Sequence, residues 1–287
     1  MRERLKKKLT STLSQEALGK VVSSFDLVGD IAIIKAPANP EDAEAIAKQL
    51  MAVHKCVKTV LAQSSPVRGD HRTRELTLLA GENKTVAKYK EAGCIFAVDV
   101  EKCYFSPRLK HERLRIAGLV SPNETVVNMF AGVGCFSIII AKRVPQAKVF
   151  SIDINPAAYR FMEENIRLNR VFGRVHPILG DSQEIVQTQL RGVTDRVLML
   201  LPEKALEYLP AALSALKRSG GWIHYYDFQH AYDNEDPVKK TEQKVAEKLD
   251  RLGAKYCFTC GRVIRSTGPN WYQTVLDIQV TDYSSKS

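Results

Sequence analysis

The stretch VVNMFAGVGCFSIIIAK, residues 126–142, decides the fold. An apolar run typical of a buried strand leads into Gly132 and Gly134, and a second apolar run with helical character follows. Glycines between a strand and a helix let the backbone approach a ligand that larger side chains would exclude. The loop lacks the third glycine of a dinucleotide fingerprint and the Lys-Ser/Thr of a P-loop, which argues against both of those sites. Taken alone, a tight structural turn is an alternative.

Two aspartates follow the next predicted strands. VFSIDINP (149–156) places Asp153 at a strand end, where a carboxylate can accept hydrogen bonds from both ribose hydroxyls. Asp181 ends HPILGD (176–181), where it can face an adenine amino group. The glycine loop and the two aspartates outline a crevice for an adenosyl ligand, and the missing phosphate signature favours S-adenosylmethionine over NAD. A solvated, structural role for both aspartates is the alternative.

The rest of the sequence divides into three segments. Residues 1–23 are predicted to form a basic arm or helix, and residues 24–105 predict a small α+β module of short strands and a helix. Repeated strand–helix units over 106–287 predict an α/β domain with a doubly wound, Rossmann-like sheet that ends in a hairpin. Within it, residues 108–120 are predicted to be a helix. Its predicted apolar face consists of Leu109, Leu114, Ile116 and Leu119.

The composition bounds the class of protein. The 287 residues carry 42 Lys and Arg against 32 Asp and Glu, and a net charge of +10 fits a polyanionic partner. Apolar runs fall far short of the ~20 residues that a membrane helix needs, and no signal peptide is evident. The cysteines show no disulfide spacing, which suits a reducing cytoplasm. Cys257 and Cys260 form a lone CxxC without a second pair of ligands, so no metal site is predicted.

Several ordered segments resemble one known family. They are YFSPRLKHERLRIAGLV (104–120), VVNMFAGVGCFSI (126–138), SIDINP (151–156), ILGD (178–181), LPEKALEYLPAAL (201–213) and GGWIHYY (220–226). Together they closely resemble the archaeal/eukaryotic tRNA (guanine-37-N1)-methyltransferases, and the wybutosine-pathway tRNA aminocarboxypropyltransferases share the same framework. The likeness runs from about Phe25 to the C-terminus. It implies a class I, Rossmann-like S-adenosylmethionine-dependent methyltransferase.

The resemblance also implies roles for individual residues. Glu112 matches the glutamate that takes the N1 proton of guanine, a step that a desolvated carboxylate can perform. Arg72 matches an arginine that contacts guanine O6 and stabilises developing charge. Arg113 resembles a contact to the methionine carboxylate. An exposed ion pair is the alternative for Glu112 and Arg113, and phosphate binding is the alternative for Arg72.

The cofactor contacts follow from the same motifs. The residues expected to line the S-adenosylmethionine site are Ser106, Arg113, Asn128, Phe130, Gly132, Gly134, Asp153, Ile154, Asp181, Ser182, Leu200 and Pro202.

Two positions depart from the methyltransferase pattern. Asn128 stands where the family carries an aspartate, and Leu200 stands where the asparagine of an Asn-Leu-Pro segment is expected to hold the guanine. A leucine cannot hydrogen-bond a base edge, and losing such a contact costs about 1–3 kcal/mol. Aminocarboxypropyl transfer, methylation of a wyosine precursor, and a catalytically silent tRNA-binding homologue are therefore alternatives to methyl transfer.

The predicted protein is a monomeric cytoplasmic enzyme that methylates N1 of guanine 37 in the tRNA anticodon loop. The target base must leave its stack to enter the site. Basic side chains of the arm, module and crevice edge are predicted to follow tRNA phosphates. They are Arg2, Arg4, Lys6, Lys7, Lys8, Arg68, Arg72, Arg74, Lys110, Arg113, Arg115, Arg262 and Arg265. Trp271 is predicted to pack under the hairpin rather than to stack on a base.

Overall fold

A computed structural model describes residues 25–35, 39–65, 69 and 71–283. The predicted basic arm at residues 1–23 lies outside this part of the chain, as does Arg68. The chain divides into two compact units between Arg108 and Leu109, slightly after the boundary expected between residues 105 and 106.

The first unit is the predicted α+β module. Its elements are β1 (Asp26–Val28), β2 (Ile31–Lys35), α1 (Pro40–Val53), β3 (Thr59–Gln63), β4 (Leu76–Gly81), β5 (Val86–Glu91) and β6 (Cys94–Asp99). The first four strands form a sheet in the order β1-β2-β3-β4, in which only β2 and β3 run parallel, and β5 pairs with β6. Helix α1 begins at Asn39, whose side chain accepts the Glu41 N–H at 3.0 Å. It buries Ile46 and Leu50 in the core of this unit.

The second unit is the predicted Rossmann-like domain. Its elements are α2 (Lys110–Leu119), β7 (Thr125–Asn128), α3 (Cys135–Arg143), β8 (Lys148–Asp153), α4 (Pro156–Asn169), β9 (Val175–Leu179), α5 (Ser182–Gln189), β10 (Arg196–Met199), α6 (Ala205–Ala215), β11 (Gly221–His230), α7 (Pro237–Arg251), β12 (Lys255–Gly268) and β13 (Trp271–Asp282). Seven strands form one sheet in the order β12-β13-β11-β10-β7-β8-β9. No helix in the described part of the chain is long and apolar enough to cross a membrane.

The order of the strands fixes where a ligand can bind. Strands β7, β8 and β9 follow one another in one direction, and the chain then returns to place β10 on the other side of β7. The five strands β7 to β11 are all parallel to one another. The hairpin strand β13 pairs with β11 and runs antiparallel to it. Ligands of such sheets bind at the carboxyl ends of the strands where the order reverses. The switch point lies beside Asn128, which puts the glycine loop at the mouth of the crevice.

Helix α2 differs from the prediction. It buries Glu112, Arg113, Ile116 and Ala117, whereas Leu119, assigned to the apolar face, is 42% exposed. Ile116 confirms part of the predicted face, but the assignment of Leu119 was wrong because the helix instead buries Glu112, whose partners lie on the sheet. Periodicity of apolar residues cannot reveal such partners, since they lie far away in the sequence.

The hairpin end is also more open than predicted. The Trp271 ring lies with its edge against His230, at 5.3 Å between ring centroids, and the residue is 47% exposed. His230 also contacts the exposed Tyr232 ring at 4.8 Å. Packing of Trp271 is therefore only partial.

Candidate functional site

The loop after β7 requires its glycines. Gly132 and Gly134 have φ angles of +56° and +87°, in the left-handed region that L side chains rarely adopt. A Cβ on Gly134 would also lie 3.0 Å from Met162 Cγ and 3.2 Å from Ile138 Cδ1. The Ala131 N–H donates to the Ile152 carbonyl at 2.8 Å and holds the loop against β8. The loop thus forms a close-packed backbone cradle at the start of α3.

Asp153 joins two segments at the end of β8. Its Oδ2 accepts the Gly132 N–H at 2.6 Å, and its Oδ1 accepts the Asn155 N–H at 2.9 Å. Asn155 in turn caps α4 by accepting the Ala157 N–H at 2.9 Å. Ile154, the next residue after Asp153, is 41% exposed. Asp153 and Ile154 are both expected to line the cofactor site, and they lie next to each other at the end of β8.

The end of β9 contributes Asp181 and Ser182. Asp181 Oδ1 caps α5 by accepting the Gln183 N–H at 2.7 Å, and Oδ2 accepts the Tyr208 hydroxyl at 2.5 Å. Phe130 packs against the Tyr208 ring at 5.3 Å. The Ser182 hydroxyl is buried and has no hydrogen-bond partner in the described part of the chain. A buried polar atom without a partner calls for water or a ligand, and together with the cradle it fits an adenosyl group.

Asn128 lies beneath the loop and does not line it. The residue is 0% exposed, its Oδ1 accepts the Phe130 N–H at 3.3 Å, and its Nδ2 donates to Ser137 Oγ at 3.2 Å. Ser151 donates to the same Ser137 oxygen at 2.7 Å. The geometry therefore does not support the expected cofactor contact of Asn128. Its amide holds the loop from within, and a neutral group is the cheaper one to bury there.

The remaining predicted cofactor contacts are spread over both units. In the second unit, Leu200 is half-buried and Pro202 is buried in the segment between β10 and α6. Arg113 is buried on α2, with its guanidinium 5.9 Å from the centroid of the Phe136 ring. Ser106 belongs to the first unit and is buried.

Arg72 belongs to the first unit as well. Its guanidinium lies over the Tyr104 ring at 3.9 Å from the centroid, and its φ of +52° is uncommon for a residue with a side chain. Arg74 Nη1 donates to Gln63 Oε1 at 3.4 Å.

Glu112 is a buried carboxylate held by donors from three elements. Oε1 accepts from the Tyr226 hydroxyl at 2.6 Å and from Arg115 Nη2 at 2.8 Å. Oε2 accepts from Arg115 Nε at 3.0 Å and from Arg262 Nη2. Burial raises the pKa of Glu112, but the bonds from Arg115 and Tyr226 and the charge of Arg262 outweigh it and lower the pKa. The site thus keeps an ionised carboxylate away from water.

A network of charges continues from Glu112 beneath the sheet. Arg115 Nη2 also donates to Asp277 Oδ1 at 3.0 Å, and His224 Nδ1 lies 2.6 Å from the same oxygen. Arg196 Nη1 lies 2.7 Å from His224 Nε2, which requires the neutral imidazole with its proton on Nδ1. Arg196 also donates to Glu124 at 2.7 Å and to the Leu119 carbonyl at 2.8 Å. The network therefore ties both ends of α2 to β10, β11 and β13.

Sequence reasoning missed part of this arrangement. It did not find Tyr226, His224 or Asp277, and it assigned Arg115 to tRNA phosphates, whereas its guanidinium is committed to two buried carboxylates. One signal was present in GGWIHYY. His224 and Tyr226 alternate in the buried part of this strand, which places two polar groups on one buried face.

Sequence comparison identifies related families along most of the chain. The family described as the TRM5/TYW2 methyltransferase domain matches residues 86–252, and the TYW2 N-terminal domain matches residues 5–85. The tRNA (guanine(37)-N(1))-methyltransferase Trm5b of Pyrococcus abyssi is 41% identical over 93% of this chain and 78% of its own length. The tRNA 4-demethylwyosine(37)-methyltransferase Taw21 of Saccharolobus solfataricus is 37% identical over 89% of this chain and 93% of its own length.

Solved structures give the same result. The crystal structure of Pyrococcus abyssi Trm5b superposes with a TM-score of 0.83 over 94% of this chain and 79% of its own, at 41% identity. The complex of aTrm5 with tRNALeu superposes with a TM-score of 0.81 over 96% of this chain and 78% of its own, at 34% identity. Pyrococcus horikoshii TYW2 in complex with MeSAdo superposes with a TM-score of 0.78 over 98% of this chain and 99% of its own, at 29% identity. Since sequence and fold agree along almost the whole length, the chain belongs to the TRM5/TYW2 methyltransferase family.

Proposed function

We propose that the protein is an S-adenosylmethionine-dependent methyltransferase that acts on N1 of guanine 37 in the tRNA anticodon loop. The observation that carries the proposal is the ionised, buried carboxylate of Glu112. A methyl acceptor at guanine N1 must lose a proton, and Glu112 is a desolvated group able to take it. The relatives named for this reaction, Trm5b among them, support the assignment.

Four features of the second unit would hold the cofactor. The cradle of Gly132 and Gly134 admits the ligand closely, and the carboxylates of Asp153 and Asp181 are groups that can accept hydrogen bonds from ribose and adenine. When bound, S-adenosylmethionine supplies an electrophilic methyl carbon. The TYW2 structure solved with MeSAdo supports an adenosyl ligand in this fold.

The protein side of the reaction is proton removal and charge stabilisation. Tyr226 and Arg115 hold the Glu112 carboxylate in one orientation, so that it can accept the N1 proton. Proton acceptors positioned in this way contribute typically about 10²- to 10⁴-fold in rate. Arg72 of the first unit is proposed to stabilise negative charge that develops on guanine O6.

The proposed partner is a tRNA whose position-37 base leaves its stack. The net charge of +10 and the cations of Lys110 and Arg265 fit contacts to phosphates, and the complex of aTrm5 with tRNALeu supports this partner. We propose a monomer in the cytoplasm as the working form.

Leu200 favours a second candidate, methylation of 4-demethylwyosine at the same position. Its half-buried, apolar side chain offers no hydrogen bond to a guanine edge but suits a larger, fused base. Taw21 is named for that reaction and is 37% identical. Transfer of a 3-amino-3-carboxypropyl group from the same cofactor is the third candidate within the family. The two reactions differ only in which carbon bonded to the sulfur of S-adenosylmethionine faces the base.

The test combines two tRNA substrates with product analysis. Purified protein is incubated with S-adenosylmethionine and tRNA that carries either guanine or 4-demethylwyosine at position 37. Release of adenosylhomocysteine with a methylated guanine 37 supports the proposal, and reaction only with the modified tRNA supports the second candidate. Release of methylthioadenosine contradicts both. Absence of S-adenosylmethionine binding in calorimetry would indicate a silent tRNA-binding homologue.

A further inference from the structure

The Glu112 carboxylate has no acceptor position to spare. Three side chains within the described residues donate to it, namely Arg115, Tyr226 and Arg262. An ionised carboxylate has about four acceptor sites, and these donors occupy both oxygens. A general base needs a lone pair directed at the proton that it accepts. One donor must therefore move away before Glu112 can act on a bound purine.

The three donors are not equally anchored. Arg115 is bound on its other side by Asp277, and its side chain is only 19% exposed. Tyr226 belongs to the buried face of β11. Both are fixed by the surrounding structure.

Arg262 is held much less firmly. It reaches Glu112 from β12, the edge strand of the sheet, and 40% of its side chain is exposed. Its Nε is buried and has no hydrogen-bond partner in the part of the chain that the structure describes. Moving this guanidinium breaks its contact with Glu112 and relieves an unsatisfied donor, so Arg262 leaves at the lowest cost.

We propose that Arg262 is a displaceable positioning residue that covers a Glu112 lone pair in the free enzyme and yields it to the N1–H of the target purine. This proposal rests on the proposed function of Glu112. A neighbouring cation favours the ionised form of a carboxylate, so departure of Arg262 makes Glu112 a stronger base at the moment the purine is in place. The other groups that face Glu112 stay in both states. They are Arg115 on α2 and Tyr226 on β11, and Arg115 links them to Asp277 on β13 and His224 on β11.

The test is a titration of the Glu112 carboxyl carbon by NMR in protein labelled with 13C-glutamate. The resonance is identified by its loss in Glu112→Gln. In the free enzyme, Arg262→Gln is expected to move the titration midpoint to higher pH by roughly one pH unit. Unmodified tRNA transcript with adenosylhomocysteine, which allows no transfer, should abolish the difference in midpoint between wild type and Arg262→Gln. In both complexes Arg262 no longer contacts Glu112, and the same N1–H donates to the carboxylate.

Single-turnover kinetics provide a second readout. The acid limb of the rate at limiting tRNA reports the free enzyme, and the limb at saturating tRNA reports the complex. Arg262→Gln should move the acid limb measured at limiting tRNA to higher pH. It should leave the acid limb at saturating tRNA where it is in the wild type. Lys255→Gln removes an exposed cation from the same strand, where Lys255 pairs with Asp282, and should change neither limb.

Two outcomes overturn the proposal. One is a free-enzyme midpoint that is the same in wild type and Arg262→Gln, and the other is a difference between the two midpoints that persists when tRNA is bound. Failure of the proposed function gives a different result. Wild-type protein would then transfer no methyl group to guanine 37, while the free-enzyme titration would still report whether Arg262 holds Glu112.

Discussion

Tyr226 donates its hydroxyl hydrogen to Glu112 Oε1 over 2.6 Å, and both side chains are buried. The bond joins β11 to the first turn of α2, which are separated by more than a hundred positions in the sequence. Burial and the neighbouring Glu112 charge raise the pKa of Tyr226, so the phenol stays protonated and acts as a donor. The bond therefore helps to hold a buried, ionised carboxylate in one orientation.

Replacing Glu112 by glutamine is expected to slow single-turnover methyl transfer about 100-fold or more, because the amide cannot accept the N1 proton. The affinity for S-adenosylmethionine should stay the same, since the hydrogen bonds of the carboxylate go to Arg115, Tyr226 and Arg262, which lie outside the glycine loop. Rates with guanine-37 transcript and calorimetry with the cofactor measure the two effects.

Glu124→Gln is the matched control for Glu112→Gln. Glu124 is another poorly exposed carboxylate paired with an arginine, at the far end of the same network. Both variants should lower the melting temperature, and only Glu112→Gln should lose transfer activity. Equal loss of activity in both would show that Glu112 acts through the stability of the network.

Acidification should destabilise the protein in two stages. Burial lowers the pKa of His224, and the charges of Arg196 and Arg115 also oppose protonation. Below the ordinary histidine pKa of about 6.5, the unfolded chain therefore binds a proton that the folded chain does not, which costs up to about 1.4 kcal/mol per pH unit. Asp277 and Glu112 have lowered pKa values too, so their stabilisation is present above about pH 4 and is lost below it.

Urea unfolding at pH 8, 6.5, 5.5 and 4.5 measures this dependence. His224→Asn should lower stability at pH 8 and flatten the decline between pH 6.5 and 5.5. A wild-type unfolding free energy that is constant from pH 8 to 5 would contradict the assignment of a neutral His224.

Ser182→Ala should weaken S-adenosylmethionine binding without weakening the fold. The buried hydroxyl has no partner in the described residues, so its removal breaks no bond within the described structure. Loss of one hydrogen bond to the ligand corresponds to about a 2- to 10-fold increase in Kd. Calorimetry and thermal unfolding measure the two effects. Ser214→Ala, which removes a hydroxyl bonded to the Ala211 carbonyl on α6, should leave Kd unchanged. An unchanged Kd in Ser182→Ala would exclude Ser182 from the site.

The sequence predicted the parts of the site that lie in one loop or at one strand end. The glycine cradle and the position of Asp153 follow from local pattern, because a parallel sheet brings the ends of its strands to one edge. The partners of Glu112 could not be predicted in this way. Tyr226 and Arg262 reach it from strands far away in the sequence, and neither spacing nor hydrophobic period encodes such contacts. The burial of Asn128 could not be predicted for a similar reason, since it depends on the packing of Ser137 beneath the loop.

Gly134→Ala should weaken both the fold and cofactor binding. Alanine at a φ of +87° costs about 1–2 kcal/mol, and its Cβ would also press on Met162 and Ile138. Displacement of the loop should raise the Kd for S-adenosylmethionine at least about tenfold. Gly173→Ala is the matched control, with a φ of +70° and nothing within 4 Å of the added carbon. Gly173→Ala should lower the stability of the fold by a similar amount and leave the Kd for S-adenosylmethionine unchanged. Loss of affinity in both variants would indicate a global effect.

Leu200→Asn tests which base the site accepts. An asparagine here restores a side chain that can hydrogen-bond the guanine edge, and one such contact is worth about 1–3 kcal/mol. We expect methyl transfer to guanine-37 transcript to rise about tenfold, whereas transfer to tRNA with 4-demethylwyosine should fall because the polar side chain replaces an apolar contact with the additional ring. Leu201→Asn, one position along the same segment, controls for the polarity of the loop. If Leu200→Asn leaves the ratio of the two rates unchanged, Leu200 does not contact the base, and the preference between the two substrates must be set elsewhere in the site.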